Sequence, residues 1–242
     1  MPLPSLLKRH RAPEWMDEPG ADPRDLRAAL RFISRINRFL GYNRATIFHL
    51  QRFSSRWPAG KPIRILDVAT GSADVPLAIL RWARRRRLDI QIVGIDLHPT
   101  TLEQARQQTL KQPRIRLVQS DALRLPFDDG SFDYVISSMF LHHLSDEQQN
   151  KLLREMDRVA RRGVLVADLL RSRRAWLWIS VLTLLSTRMI RHDARISVAQ
   201  ALSAEEVLQL RNRASLGFLK FRRHFGHRFV LAGEKNPPAT GI

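Results

Sequence analysis

From Pro62 onward, short runs of aliphatic and β-branched residues alternate with longer stretches whose apolar positions recur at helical spacing. That alternation predicts a parallel sheet covered by helices on both faces. The runs Ile63–Val68, Ile90–Ile95, Ile115–Gln119, Tyr134–Ser137 and Val164–Ala167 read as five strands. Helices are expected near Asp74–Arg85 and Pro99–Leu110. Ser145 followed by Gln148, and Ser203 followed by Glu206, have the spacing of capping boxes, so each opens a helix, the second running to about Ala214. Two closing runs, Phe218–His224 and His227–Ala232, are separated only by Phe225 and Gly226. A link that short permits an antiparallel hairpin and forbids a parallel crossover, which needs roughly a dozen residues. The expected fold is therefore α/β: a seven-stranded, mostly parallel sheet with one antiparallel strand near its edge.

Two segments fall outside this alternation. Asp22-Pro23 is a good helix start, and Leu26, Ala29, Leu30, Ile33, Ile36 and Leu40 form one apolar stripe, so residues 1–60 are expected to form a helical cover. Residues 61–242 form the main domain, interrupted by a helical insert at about 171–197 that carries Trp176, Trp178 and several leucines. Within the insert, Ala175–Thr187 is the longest uncharged apolar run. As a helix it is about 20 Å long, short of the roughly 30 Å needed to cross a bilayer. The amino terminus lacks the continuous apolar core of a signal peptide, so a cytoplasmic protein is expected.

Composition narrows the chemistry. Cysteine is absent, which removes disulfides, thiolate metal ligands and thiol nucleophiles. The formal net charge of +18 favours anionic partners, either nucleic acid or the head groups of an anionic membrane at its inner face. Only six of the 41 Lys and Arg residues are lysine, an imbalance that a GC-rich genome also produces.

In Ile65–Asp74, reading ILDVATGSAD, an apolar strand ends on Asp67, turns around Gly71 and enters a helix near Asp74. Gly71 lets backbone approach a ligand, and free amides at a helix start favour a carboxylate or phosphate. Asp96 closes the next strand 25 residues past Gly71, placed to accept both hydroxyls of a ribose, and Asp121 follows the third strand. A dinucleotide site would carry three glycines as G-x-G-x-x-G, but the loop Ala69-Thr70-Gly71-Ser72-Ala73-Asp74 keeps one, and an acid there would repel a pyrophosphate.

With VGIDLHP and the run from Asp121 to Leu144, DALRLPFDDGSFDYVISSMFLHHL, the motif resembles the ubiquinone/menaquinone-type branch of class I S-adenosyl-L-methionine-dependent methyltransferases, with a Rossmann-like fold, over roughly Arg64–Lys235. The resemblance implies S-adenosyl-L-methionine as cofactor. It assigns Asp67, Ala69, Thr70 and Gly71 to the methionine end, Asp96 with Leu97 to the ribose side, Asp121 and Ala122 to the adenine, and Ser138 to the cofactor wall. The sequence departs from the family pattern at Ala69 and Ala73, where glycine is usual.

The acceptor is less legible. Methylation of exocyclic or amide nitrogen usually uses an N/D-P-P-Y/F motif after the fourth strand, where this chain has Ser137-Ser138-Met139-Phe140; Asn236-Pro237-Pro238 lies too near the carboxyl terminus to serve. Oxygen or activated carbon of a small hydrophobic molecule remains, such as a phenol, quinone or polyketide-like compound. Met139, Trp176, Trp178, Leu182, Leu185 and Met189 are candidates to line its pocket, with plain lid packing as the alternative. Because a phenol has a pKa near 10, an imidazole base would help, and His142, His143 and His192, the last followed by Asp193, are the candidates. No carboxylate stands at a convincing spacing from these histidines, so no metal is expected. Flanking arginines, Arg171, Arg173, Arg174, Arg188 and Arg191, would suit docking on an anionic membrane. Two competing readings stand beside this one: an RNA methyltransferase, favoured by the charge and the run Arg84–Arg87 but lacking an RNA-binding module, and a cofactor-binding subunit that has lost catalysis.

Overall fold

The computed structural model describes residues 41–235 continuously and, before them, residues 6, 8–17, 22, 24, 25, 27–29, 31 and 32. Seven strands, β1 (Ile63–Val68), β2 (Ile90–Asp96), β3 (Ile115–Gln119), β4 (Phe132–Ser138), β5 (Ala160–Leu169), β6 (Lys220–His224) and β7 (Arg228–Glu234), form one sheet in the order β3-β2-β1-β4-β5-β7-β6. Strand β7 runs antiparallel to both of its neighbours, and the other pairings are parallel. The chain order reverses between β1 and β4, and at such a switch point the carboxyl ends of the strands leave a crevice for ligands. Strand β5 starts four residues earlier than its apolar run, because Arg161 and Arg162 belong to its edge and follow the preceding helix without a loop.

Helices α1 (Tyr42–Ser54), α2 (Asp74–Arg86), α3 (Pro99–Thr109), α4 (Asp146–Val159), α5 (Arg173–Leu182), α6 (Arg188–Gln200) and α7 (Ala204–Arg213) complete the frame. Side chains alternate along the strands between two cores. Ile63 and Ile65 of β1 pack with Leu50 and Phe53 of α1 and with Ile79 of α2, whereas Leu66 and Val68 face Leu152 and Met156 of α4 and Val207 of α7. Both capping boxes form with their two reciprocal bonds, at Ser145/Gln148 and Ser203/Glu206. Helix α1 has no counterpart in the expected elements. Of the expected amino-terminal helix, residues 24, 25, 27–29, 31 and 32 are helical; Leu26, Leu30, Ile33, Ile36 and Leu40 lie outside the described residues, as do Asn236, Pro237 and Pro238.

The insert and the amino-terminal strap, meaning the described residues before 41, meet over the carboxyl edge of the sheet. Ala29 packs with Met189 and Ile190 of α6, and Ala175 and Trp176 of α5 pack with Val198. The strap is tied down by polar bonds. The Arg9 side chain donates to the carbonyls of Gln200, His142 and Leu144, and Asp193 accepts from the amides of Trp15 (2.9 Å) and Met16 (3.1 Å).

Candidate active site

A cavity of about 1200 Å³ opens along the carboxyl edge of the sheet, bounded by the strand ends, the strap and the insert. Its volume exceeds the few hundred to roughly 1000 Å³ of an ordinary small-ligand pocket, enough for two molecules side by side.

One half is built by the turn after β1. Ala69, Gly71 and Ala73 all adopt left-handed backbone, with φ of 57°, 56° and 62°. This conformation costs a residue with a Cβ about 1–2 kcal/mol, so alanine replaces the usual glycines at positions 69 and 73 at a tolerable penalty. At Gly71 a Cβ would meet nothing within 4 Å, because the position faces the open cavity. Gly94 of β2 is needed for a different reason: a Cβ there would stand 2.9 Å from Thr70 Oγ1, so its absence lets the loop lie against the sheet. Thr70 Oγ1 donates to Asp67 Oδ2 at 2.7 Å, and the Gly71 amide donates to Asp96 Oδ2 at 2.9 Å. The His98 amide donates to Asp96 Oδ1 at 3.0 Å, and the Leu123 amide to Asp121 Oδ1 at 2.8 Å.

Burial governs the titration of these acids. It pushes the fully buried Asp67 carboxyl up to about 8, a rise that the Thr70 hydrogen bond opposes and that Asp74 and Asp96 reinforce. Burial also raises Asp96, against the amide bonds from His98 and Gly71.

The donor set of this half fits S-adenosyl-L-methionine. Leu97, 62% exposed, is an apolar shelf on the wall where a base can lie. Ser138 Oγ, at the end of β4, is buried with no hydrogen-bond partner and belongs to a cavity-lining residue. Asp96 and Asp121 present carboxylates on the same wall, beside Ala69, Thr70, Gly71 and Ala122.

The other half is polar at one point and apolar elsewhere. His142 sits in a single 3-10 turn, Leu141–His143, held by Gln149, whose amide donates to the carbonyls of Leu141 and Leu144. Its backbone amide donates to Asp168 Oδ2 at 3.0 Å, and its Nδ1 lies 2.7 Å from Asp168 Oδ1, at the end of β5. Across the ring, Nε2 is 3.8 Å from Glu14 Oε1 of the strap, itself an acceptor from Ser197 Oγ at 2.7 Å. His143 lies beside it, with ring centroids 4.3 Å apart. Ligating atoms of Glu14, His142 and His143 fall within 4.8 Å of one another, so the fold supplies the carboxylate that the linear sequence lacks near these histidines. That group could share a cation or a proton; Asp168 on Nδ1 and the Ser197 hydroxyl on Glu14 orient it for a proton.

Of the acceptor-side candidates, Met139, in left-handed backbone at φ 58°, and Trp178 line the cavity. Trp176 is buried against Val198 and Met189 against Ala29; neither lines it. His192 also stands apart, stacked on Trp15 at 4.1 Å and bonded to Asp193 at 2.9 Å, where it braces the strap. Sequence reasoning missed Glu14 and Asp168. Asp168 carried a usable signal, as another acid at a strand end; Glu14 carried none.

Residues 65–163 match the methyltransferase-domain family. The chain is 32% identical over 135 residues to a demethylmenaquinone methyltransferase of Staphylococcus epidermidis, covering 56% of this chain and 54% of that one. It is 41% identical over 106 residues to the enzyme of that name from Deinococcus radiodurans, covering 43% and 42%. The chain thus spans about half the length of the curated relatives it matches. The plantazolicin methyltransferase BamL, solved with a triazolic desmethylPZN analog and SAH, has the same fold, with a TM-score of 0.63 at 16% identity, covering 86% of this chain and 73% of that one. The strand order is that of the Rossmann-like methyltransferase fold, and residues 65–163 carry a methyltransferase domain of the class I, S-adenosyl-L-methionine-dependent kind. The curated relatives that it matches over this half are demethylmenaquinone methyltransferases, so the matched stretch is similar to the menaquinone/ubiquinone-type branch.

Proposed function

We propose that the protein methylates an oxygen of a small hydrophobic acceptor, a phenol, hydroquinone or polyketide-like compound. The observation that carries this reading is the buried His142–Asp168 pair, whose histidine lines the same cavity as the cofactor wall. Bound at that wall, the cofactor supplies a methyl group on a sulfonium, whose sulfur keeps the bonding pair when the methyl leaves. Asp168 accepts the Nδ1 proton of His142 and so leaves the Nε2 lone pair toward the cavity, where it takes the proton of an acceptor hydroxyl. The imidazolium then stands between two carboxylates, Asp168 and Glu14. Apolar side chains lining the cavity, including Phe32, Ile179 and Leu182, exclude water and suit a greasy ring.

The relatives' name, demethylmenaquinone methyltransferase, points to an aromatic acceptor of the same kind. Removing a phenolic proton also enriches the neighbouring ring carbon, so the same pair would serve methylation at carbon. Incubation with unlabelled cofactor and a panel of alkylated phenols and hydroquinones, read by mass spectrometry and NMR, is expected to give a product heavier by one CH2 unit with a methoxy resonance. A ring-methyl resonance would move the assignment to carbon, and no product from any ring would sink it.

RNA is disfavoured by position. Arg84–Arg86 end α2 beside the start of β2, at the opposite edge of the sheet from Asp96. Strand β2 places about 20 Å between them.

The raised Asp67 carboxyl adds a prediction. A cationic methionine end near it favours the ionised form, so binding is expected to release a proton, and affinity to rise with pH up to about 8 and then level off. Without ligand the sign is the reverse for stability: a raised folded value leaves stability intact below the unfolded range near 4 and loses it as pH rises through about 8. Asp67→Asn should flatten both curves. Calorimetry in buffers of different ionisation enthalpy counts the proton; none released would contradict the role given to Asp67.

A further inference from the structure

We propose that α5 and the turn after it seat the protein on an anionic bilayer, and that the acceptor is an amphiphile whose alkyl chain enters the cavity from that surface. The inference deepens the reading of a hydrophobic acceptor and rests on it for the acceptor alone. Helix α5 buries Ala175 and Trp176 against the body of the protein. Its opposite face is bare: Leu177 is 57% exposed, Trp178 67% and Val181 66%, followed by Leu184 at 59% and Leu185 at 99%. Apolar side chains scattered singly over a surface need no explanation, whereas a contiguous set does.

The patch is continuous with the cavity. Trp178, Ile179 and Leu182 line it, and Phe225, 88% exposed in the turn between β6 and β7, joins the same rim from a separate element. Two unrelated parts of the chain therefore present bare apolar groups around one opening. No helix among the described residues is long and apolar enough to cross a membrane, so a surface-lying helix is the geometry available to this face.

Charge selects the occupant. Arg173, Arg174 and Arg188 are exposed at the two ends of the patch, and no Asp or Glu occurs between Arg171 and His192. Basic groups framing an apolar face match anionic head groups above acyl chains. A second copy of the chain would set arginine against arginine across a symmetric contact, between molecules each of formal charge +18.

The test uses the full chain with vesicles of phosphatidylcholine alone or with about a third phosphatidylglycerol. Co-sedimentation with the anionic vesicles is expected, at least tenfold weaker on zwitterionic ones and weakened by raised salt. Val181→Glu with Leu185→Glu, at exposed positions that do not line the cavity, should lower anionic-vesicle binding at least tenfold and leave cofactor affinity by calorimetry unchanged. The same variant should lose turnover of a long-chain phenol carried in vesicles while keeping turnover of a short, water-soluble one. Equal sedimentation of variant and wild type, equal binding to both vesicle types, or dimerisation in place of vesicle binding would overturn the proposal. Failure of every phenol in solution, with vesicle binding intact, would instead refute the methylation chemistry.

Discussion

Asp96→Ala is expected to weaken S-adenosyl-L-methionine binding by roughly 10²–10⁴-fold, to below the reach of ordinary calorimetry. The carboxylate has two duties. Toward the protein it accepts from the Gly71 and His98 amides at 2.9 and 3.0 Å, fixing the turn whose left-handed residues shape the cofactor wall. Toward the cavity, which Asp96 lines, its remaining lone pairs are expected to accept from a pair of ribose hydroxyls. Hydrogen bonds to a charged group contribute about 1.5–3 kcal/mol each, and losing two gives that range. Far-ultraviolet circular dichroism should be unchanged, since the β1 and β2 cores do not depend on this side chain. Affinity within threefold of wild type would remove Asp96 from the cofactor site.

His142→Ala should lower kcat by about 10²–10⁴-fold, the usual contribution of a positioned base, with cofactor affinity held within a few-fold. Asp168→Asn should lower it less, because the amide keeps a polar contact with Nδ1 but no longer offers a full negative charge beside the imidazolium. The acceptor's own acidity separates chemistry from packing. A base role predicts that the loss in the alanine variant falls on kcat rather than on KM. A phenol with a depressed pKa, already ionised in solution, should recover much of the lost rate. A variant with unchanged kcat, or one that a pre-ionised acceptor does not rescue, would reduce His142 to a packing residue.

The geometry of the proposed donor half was legible because it is local. Asp67, Thr70 and Gly71 lie within a few residues of one another, and Asp96 is reached through a single βα unit whose period and loop signals are strong. The two capping boxes likewise depend on residues three apart, and both formed. The acceptor half depends on contacts that no spacing announces. Arg9 reaches carbonyls 133 and 135 residues away, and Trp15 meets an aspartate 178 residues away. Trp176 and Met189 show the same limit from the other side. Their size and apolarity suggested a pocket, yet which face of an insert helix meets solvent, cavity or core is settled only by what packs against it. Two arginines, Arg161 and Arg162, mask the start of strand β5, whose apolar pattern covers only Val164–Ala167.

The strap has a consequence for how this chain can change its chemistry. Everything assigned to the methyl donor comes from one uninterrupted span, residues 67–138, while Glu14, Asp168, Trp178 and Asp193 come from segments on either side of it. The two halves are therefore separately editable cassettes. Exchanging the strap together with the insert would retarget the enzyme to another acceptor while the donor machinery was inherited intact. Changing one without the other would strand the Asp193 carboxylate that joins them.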